Sequence, residues 1–336
     1  IRAYLAGKID LSQAEAVADL IASSSRADHA LATNQMRGGY SEELEGLRDK
    51  LLQLTSLLEL ELDFSEEDVE FADRTALRET MERIGGEIDR LRNSFALGNA
   101  IKEGVAVAIV GAPNVGKSTL LNRLLNEDRA MVSEIAGTTR DVIEEQANIG
   151  GVRFRFLDTA GIRATGDRLE RMGIERTMES IRRAQVVIRL LDARDLEGDI
   201  PAAEFTLRQE QRLLTVINKL DAAPEGFRPM KGTIGISARR GDGIEALCRA
   251  LRDAVDTEGV YHGETVVSNS RHYEALTAAR QSLASALEGL DRGLPADLLS
   301  EEIRPVISRL GEITGRGAIA PDEVLENIFS KFCIGK

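Results

Sequence analysis

The fold is decided by residues 105–119, Val105-Ala-Val-Ala-Ile-Val-Gly111-Ala-Pro-Asn114-Val115-Gly116-Lys117-Ser118-Thr119. The small and β-branched apolar run from Val105 to Val110 reads as a strand buried on both faces. It stops at Gly111, and a glycine-rich loop follows, ending in Gly116-Lys117-Ser118. Leucines at 120, 121, 124 and 125 then mark an amphipathic helix. Strand, loop and helix fit G-x-x-x-x-G-K-[ST]. In that pattern backbone N–H groups and a helix N-terminus face bound phosphates, the lysine neutralises them, and the hydroxyl, here Ser118, ligates magnesium.

Outward from the loop, short apolar runs alternate with helical patterns to about Glu258, as in a βαβ sheet. Strands are expected at 105–110, 142–149, 152–157, 186–191, 213–217 and 233–236, and helices near 117–126, 168–183, 201–210 and 243–256. Gly150-Gly151 is a hairpin signal, which puts one antiparallel strand beside a parallel sheet. On either side the periodicity is helical. Leu11, Ala14, Ala18 and Ile21 form one stripe, Leu44, Leu47, Leu51, Leu54 and Leu58 a second, and Leu77, Met81, Ile84, Ile88, Leu91 and Phe95 a third. After Val260 the stripes return at Leu276, Leu283, Leu287 and Leu290, at Leu299, Ile303, Ile307 and Leu310, and at Val324, Ile328 and Phe332, the last behind a helix start at Pro321. The expectation is a six-stranded, mostly parallel α/β domain of the Ras-like P-loop kind over 104–259. It is inserted into an all-α domain whose parts, 1–103 and 260–336, pack together.

Composition agrees with two folded domains: 336 residues, 43% apolar, no Trp and 4% aromatic. Cys248 and Cys333 are the two cysteines, which suits a reducing compartment, and Cys248 has the apolar spacing of a core position. No stretch approaches 18 apolar residues and no basic-then-apolar leader opens the chain, which begins at Ile1. The reading is a cytoplasmic protein without membrane association, lacking its true N-terminus. A net charge of −13 argues against nonspecific nucleic-acid binding. The first 103 residues carry most of it, and Glu59 to Asp73 holds eight carboxylates and no basic residue. A solvated helix end is the plainer reading of that stretch, and a docking surface for a basic partner the functional one.

The residues downstream of the loop choose the nucleotide. The strand at 213–217 ends in Asn218-Lys219-Leu220-Asp221, and a carboxylate there accepts both the N1–H and the N2 amino hydrogens of guanine, a pair that adenine lacks on that edge. Ser237-Ala238-Arg239 follows the last strand and would offer backbone N–H groups to guanine O6. Asp158-Thr159-Ala160-Gly161 closes the strand at 152–157, with Asp158 on magnesium through water and the Gly161 N–H on the γ-phosphate. Gly137-Thr138-Thr139-Arg140-Asp141 lies before the hairpin, where Thr139 is the second hydroxyl ligand to magnesium once the loop closes on a triphosphate. Each motif alone could be a turn or a cap; together, and in this order, they read as a GTP/GDP site.

The group that orients the attacking water is less plain. Ras-type enzymes place a glutamine after the glycine of the third motif, and here that position is Ile162. Candidates are Asp167, Glu170 and a charge supplied by a partner or ion. The Asn114 side-chain carbonyl could hold a monovalent cation beside the β- and γ-phosphates.

With these motifs the sequence resembles the MnmE (TrmE) family of tRNA-modification GTPases. The resemblance runs from Arg2-Ala-Tyr-Leu-Ala-Gly-Lys8-Ile-Asp-Leu-Ser-Gln-Ala-Glu-Ala16, through Gly137–Asp141, Asp158–Gly161 and Arg171-Met-Gly-Ile-Glu-Arg176, to Phe332-Cys333-Ile-Gly-Lys336. It implies a potassium ion held by Asn114, Ser133, Ile135 and Thr138, the last two through backbone carbonyls, in place of an arginine finger when two G domains meet. It implies that Glu170 orients the water through a bridging water. It implies a homodimer, a flavin-dependent partner of the MnmG kind, tRNA as the object of modification at wobble-uridine C5, and a 5-formyl- or methylene-tetrahydrofolate donor in the full-length protein. Lys8 and Lys336 match folate-contacting positions, and Cys333 a residue linked with the chemistry. Because the family's N-terminal folate domain is almost wholly absent here, this chain should bind folate poorly. Two other readings share the G motifs. One is a ribosome-assembly GTPase of the Era or Der kind, but no KH-type G-x-x-G loop or second G-K-[ST] site is seen; the other is a scaffold that binds GTP without useful hydrolysis.

Overall fold

The computed structural model describes residues 2–63, 73–129, 145–157, 170–196, 207–255 and 257–316. In chain order the helices before the sheet are α1 (Arg2–Leu5), α2 (Leu11–Ala22), α3 (Arg26–Met36), α4 (Gly39–Asp63) and α5 (Arg74–Glu103). Then come β1 (Val105–Val110), α6 (Lys117–Arg129), β2 (Glu145–Ile149), β3 (Val152–Phe156), α7 (Glu170–Arg183), β4 (Val186–Asp192), β5 (Arg212–Asn218), β6 (Ile234–Gly235) and α8 (Ile244–Asp253). α9 (Glu258–Tyr261), α10 (Ser270–Asp291) and α11 (Ala296–Thr314) follow. The chain divides into a helical unit of residues 1–23, 28–102 and 258–336 and a second unit of 24–27 and 103–257.

Local sequence chemistry sets the helix ends. Asp10 caps α2 reciprocally: its Oδ1 accepts from Gln13 N at 2.8 Å, and Gln13 Oε1 accepts from Asp10 N at 3.0 Å. In the helical unit one core gathers Leu44, Leu51 and Leu58 of α4, Met81, Ile84 and Ile88 of α5, Leu276 and Leu283 of α10, and Leu299, Ile303 and Ile307 of α11. Apolar spacing of 3 and 4 lines these residues up on facing stripes, so early and late helices share one interior. Gly98 of α5 lets the Val267 carbonyl approach where a Cβ would collide with it. The acidic stretch is partly inward-looking. Glu59 accepts from Arg304 at 2.7 Å and Glu61 from Arg74 at 2.6 Å, so these two carboxylates join helices; residues 64–72 lie outside the described residues.

The α/β unit holds a six-stranded sheet in the order β2-β3-β1-β4-β5-β6. β1 pairs parallel with β3 and β4, β4 with β5 and β5 with β6, and β2 alone runs antiparallel, to β3 through the Gly150-Gly151 turn. All six residues of β1 are buried, as the unbroken apolar run requires.

Two local expectations differ. α3 was not anticipated, because its inward positions, Ala27, Asp28, Leu31, Ala32 and Gln35, have helical spacing but mostly small or polar side chains. A helix near 201–210 is absent over 207–210. There the buried Gln211 amide donates to the Ile181 and Ala184 carbonyls at the end of α7, at 2.5 and 2.6 Å, and accepts from Arg208 N at 2.8 Å, turning the chain directly into β5. Positions 201–206, the 142–144 end of the second strand, and the expected helix behind Pro321 lie outside the described residues.

Candidate nucleotide-binding site

The carboxyl ends of β1, β4 and β5 lie side by side, the place where parallel α/β sheets bind ligands. β1 delivers the loop Gly111–Gly116, and α6 begins at Lys117. Gly116 has φ +103°, and a Cβ there would run into the Asn218 amide nitrogen, so glycine is required. Val115 is buried beneath the loop, while Asn114 and Thr119 are exposed and Ser118 half-buried. Lys117 Nζ donates to the Gly111 carbonyl at 2.8 Å and to the Ala112 carbonyl at 2.9 Å, curling the loop round its own ammonium and leaving one of its three N–H groups for another acceptor. Burial lowers the pKa of this lysine from its ordinary value.

β5 supplies the clamp. Asn218 donates from Nδ2 to the Val115 carbonyl at 2.8 Å, and its Oδ1 accepts from Ala238 N at 2.9 Å. One buried amide therefore ties the phosphate loop to the loop after β6. Lys219 Nζ donates to the Asn114 carbonyl at 2.5 Å and to Asp192 Oδ2 at 2.8 Å. Asp221, half-buried in a short 3-10 turn, accepts from Ser237 Oγ at 2.6 Å, and this bond holds its carboxyl below the usual range. Ser237 is itself fully buried and receives Arg240 N at 3.1 Å. The loop is thus pre-formed with a carboxylate at its mouth, the arrangement that recognition of a paired-donor base edge needs. The Ala238 N–H assigned from sequence to guanine O6 is engaged by Asn218, so an approaching O6 would share that donor; Arg239 is exposed beside it.

Two side chains in this site were not picked out from the sequence. Asp192, at the end of β4, is held well below the usual carboxylate range, first by Arg194 and then by Lys219. The signal for it is an acid closing the apolar strand next to the one that ends in Asn218-Lys219. Arg123 of α6 donates from Nη2 to the Arg239 carbonyl at 2.8 Å and from Nε to the Ala238 carbonyl at 3.3 Å, bracing the same loop from below. An arginine two turns into the helix after the phosphate loop carries no distinguishing pattern.

Asn114, Val115, Gly116, Lys117, Ser118, Thr119, Asn218, Lys219, Asp221, Ser237, Ala238 and Arg239 are therefore brought together. Glu170 opens α7, and its side chain is not described. Lys8 sits exposed in the turn between α1 and α2. Ser133, Ile135, Thr138, Thr139, Asp158, Thr159, Ala160, Gly161, Cys333 and Lys336 lie outside the described residues. Among the described residues no helix is long and apolar enough to cross a membrane.

The model of the MnmE helical domain matches residues 11–333. A tRNA modification GTPase MnmE from Cytophaga hutchinsonii is 50% identical over 345 residues, covering all of this chain and 74% of its own length. Those of Bacteroides fragilis and Flavobacterium johnsoniae are 50% and 49% identical, again over all of this chain and 75% of theirs. Among solved structures, the G domain of FeoB from Methanococcus jannaschii aligns at 24% identity and a TM-score of 0.33, over 44% of this chain and 96% of its own. Family assignment rests on the sequence relatives, which match this chain over its whole length with half of the aligned positions identical, and by them this chain belongs to the MnmE family of tRNA modification GTPases.

Proposed function

We propose that the chain is a potassium-dependent GTPase, activated when two of its G domains meet face to face, that serves aminomethyl-type modification of the wobble uridine of tRNA at C5. Family membership and the phosphate loop support the GTPase itself. The observation that carries the reading of the site is the double clamp at the end of β5: Asn218 ties the phosphate loop to the loop after β6, and Lys219 ties it to Asp192 of β4, so the phosphate and base sides are braced from one strand end. In this reading the loop N–H groups and Lys117 bind the phosphates, and Asp221, with Ser237 and Ala238 behind it, reads guanine. Ser118, Thr139 and Asp158 form the magnesium set; the first stands at the start of α6, as a metal-ligating hydroxyl there must. Asn114 fits a monovalent cation because its backbone is held by Lys219 while the residue is exposed at the loop tip. Ser133, Ile135 and Thr138 would complete the set. When bound, such a cation supplies positive charge to the β/γ-bridging region, as an arginine finger does. Glu170, at the N-terminus of α7, orients the attacking water through a second water.

The same reading includes a homodimer, a flavin-dependent partner of the MnmG kind, tRNA, a folate one-carbon donor touched by Lys8 and Lys336, and work in the cytoplasm; Cys333 sits among these by resemblance. Turnover measured in KCl and in NaCl tests the core of it. Hydrolysis should need potassium, and Glu170→Ala should abolish it with nucleotide affinity retained. Equal turnover in the two salts would remove the cation, and single-turnover phosphate release no faster with potassium would favour a GTP-gated scaffold.

A further inference from the structure

Asp192 closes β4 opposite Asn218, its register partner on β5, and is only 8% exposed. Its carboxylate is fully engaged. Oδ1 accepts from Arg194 N and Nε, both at 3.0 Å, and Oδ2 accepts from Arg194 Nη2 at 2.7 Å and from Lys219 Nζ at 2.8 Å. Buried carboxylates are tolerated when paired in this way, and charge-assisted bonds of this kind are the strongest available to a side chain. Arg194 grips the carboxylate from one side and fixes its rotamer, which leaves Oδ2 facing Lys219.

The consequence lies at the far end of Lys219. An ammonium has three equivalent N–H groups on a flexible stem, and its direction is fixed only by its acceptors. With one N–H on Asp192, another is aimed at the Asn114 carbonyl. Asn114 has φ +64°, in the left-handed region that asparagine enters more readily than other residues with a side chain but still at a cost, so a bond to its carbonyl helps to hold it there. Its backbone sets the direction in which its side-chain amide leaves the loop. We propose that Asp192 is a positioning residue of the hydrolytic site: through Lys219 it locks the left-handed turn at Asn114 and so aims the Asn114 amide at the monovalent cation. This rests on the cation role read for Asn114 above.

The test measures, on the full chain, GTP turnover and in parallel the affinity for a fluorescent non-hydrolysable GTP analogue, each as a function of KCl, and the half-point in KCl should move in both. Asp192→Asn keeps the shape but turns an amide toward the Lys219 ammonium. The KCl needed for half-maximal turnover should rise about tenfold or more, the worth of one charge-assisted bond, and Asp192→Glu, which restores the charge, should bring it back toward the wild-type value. A loss of stability without this specific role would lower turnover at every KCl concentration and leave the half-point in place, which overturns the proposal. Should Asp192→Asn fail to fold, Arg194→Ala carries the test, since its side chain is 52% exposed and it fixes the same carboxylate. A rise in the half-point supports the proposal, and an unchanged one overturns it. Asn114→Ala separates the two layers. If it abolishes the potassium response while Asp192→Asn leaves the half-point unmoved, the positioning role fails alone. If Asn114→Ala leaves the response intact, the cation role of Asn114 fails, and Asp192 with it.

Discussion

Lys219 and Asn114, the two non-glycine residues with a left-handed backbone among those described, each at φ +64°, are joined to each other, ammonium to carbonyl, at 2.5 Å. Each such residue costs roughly 1 kcal/mol, so the pair marks a place where local comfort is given up for geometry. Asn114→Gly separates the backbone from the side chain. Relief of the turn should leave stability unchanged or raise it by up to about 1 kcal/mol, while loss of the amide should remove the potassium response of GTP turnover. Thermal melts and a KCl titration on the same sample read the two effects.

Gly116 faces Asn218 from the other side of the loop. Alanine there would be strained at φ +103° and would push against the Asn218 amide nitrogen, breaking the bonds to Val115 and Ala238 that this amide makes. Gly116→Ala should therefore weaken binding of a fluorescent GDP analogue by about tenfold or more, the loss of one to two buried hydrogen bonds. Far-UV circular dichroism should stay near that of the parent.

Much of this site was legible beforehand because its residues carry local signatures. Gly116, Lys117 and Ser118 must follow a strand and open a helix, and Asn218, Lys219 and Asp221 must close another strand; β1 and β5 lie where the apolar runs say. The antiparallel hairpin was legible from Gly150-Gly151 alone. Less visible were contacts made by ordinary residue types. Asp192 reaches the site through Lys219, 27 positions away, and Arg123 through carbonyls 115 or more positions away, and no spacing rule links them. α3 escaped because burial there relies on Ala27, Asp28 and Gln35, whose amide reaches Val266 and Ser268 near the far end of the chain. Helical patterning announces itself through leucine, and a helix packed through alanine and glutamine does not.

Asp221 sets base choice if the site reads guanine. Its carboxylate is an acceptor only, held by Ser237, and guanine offers donors at N1 and N2. Asp221→Asn puts an N–H where an acceptor stood, which fits the O2 of xanthine and leaves guanine's amino group facing a donor. Affinity for GDP should fall by about a hundredfold or more, and xanthosine diphosphate should become the preferred ligand, as expected where a buried polar partner is mismatched. Competition of the two nucleotides against a fluorescent analogue measures the reversal.

Two glycines of α5 should respond to alanine with opposite signs. Gly86 is exposed, with nothing within 4 Å of a new Cβ, so Gly86→Ala should stabilise by about 0.5–1 kcal/mol through helix propensity alone. Gly98 admits the Val267 carbonyl at a distance no Cβ allows, so Gly98→Ala should destabilise by about 1–3 kcal/mol. The chain has no Trp, and its tyrosines, Tyr4, Tyr40, Tyr261 and Tyr273, all belong to the helical unit. Tyrosine emission in a urea titration therefore follows that unit and should show the two midpoints moving apart.

The same emission reads a pH effect centred on Glu15. This carboxylate of α2 accepts from Arg271 Nε at 2.9 Å and faces His272 Nε2 at 2.8 Å and Arg271 Nη2 at 2.9 Å. Burial alone would raise its pKa, but the bonds to His272 and Arg271 outweigh that and bring it from 4.5 down to about 2. A carboxylate whose folded pKa is depressed contributes stability that is fully present above its unfolded pKa and lost as pH falls through the folded one. The helical unit should therefore lose stability between pH 4.5 and about 2 by an amount that belongs to Glu15. Glu15→Gln should be less stable than the parent at pH 7 and should approach it as the pH falls through this window, because the parent's carboxyl is then protonated as well. Urea midpoints from tyrosine emission at steps of pH give the two curves; a gap between parent and Glu15→Gln that stays constant down to pH 2 would assign the contact to shape rather than charge.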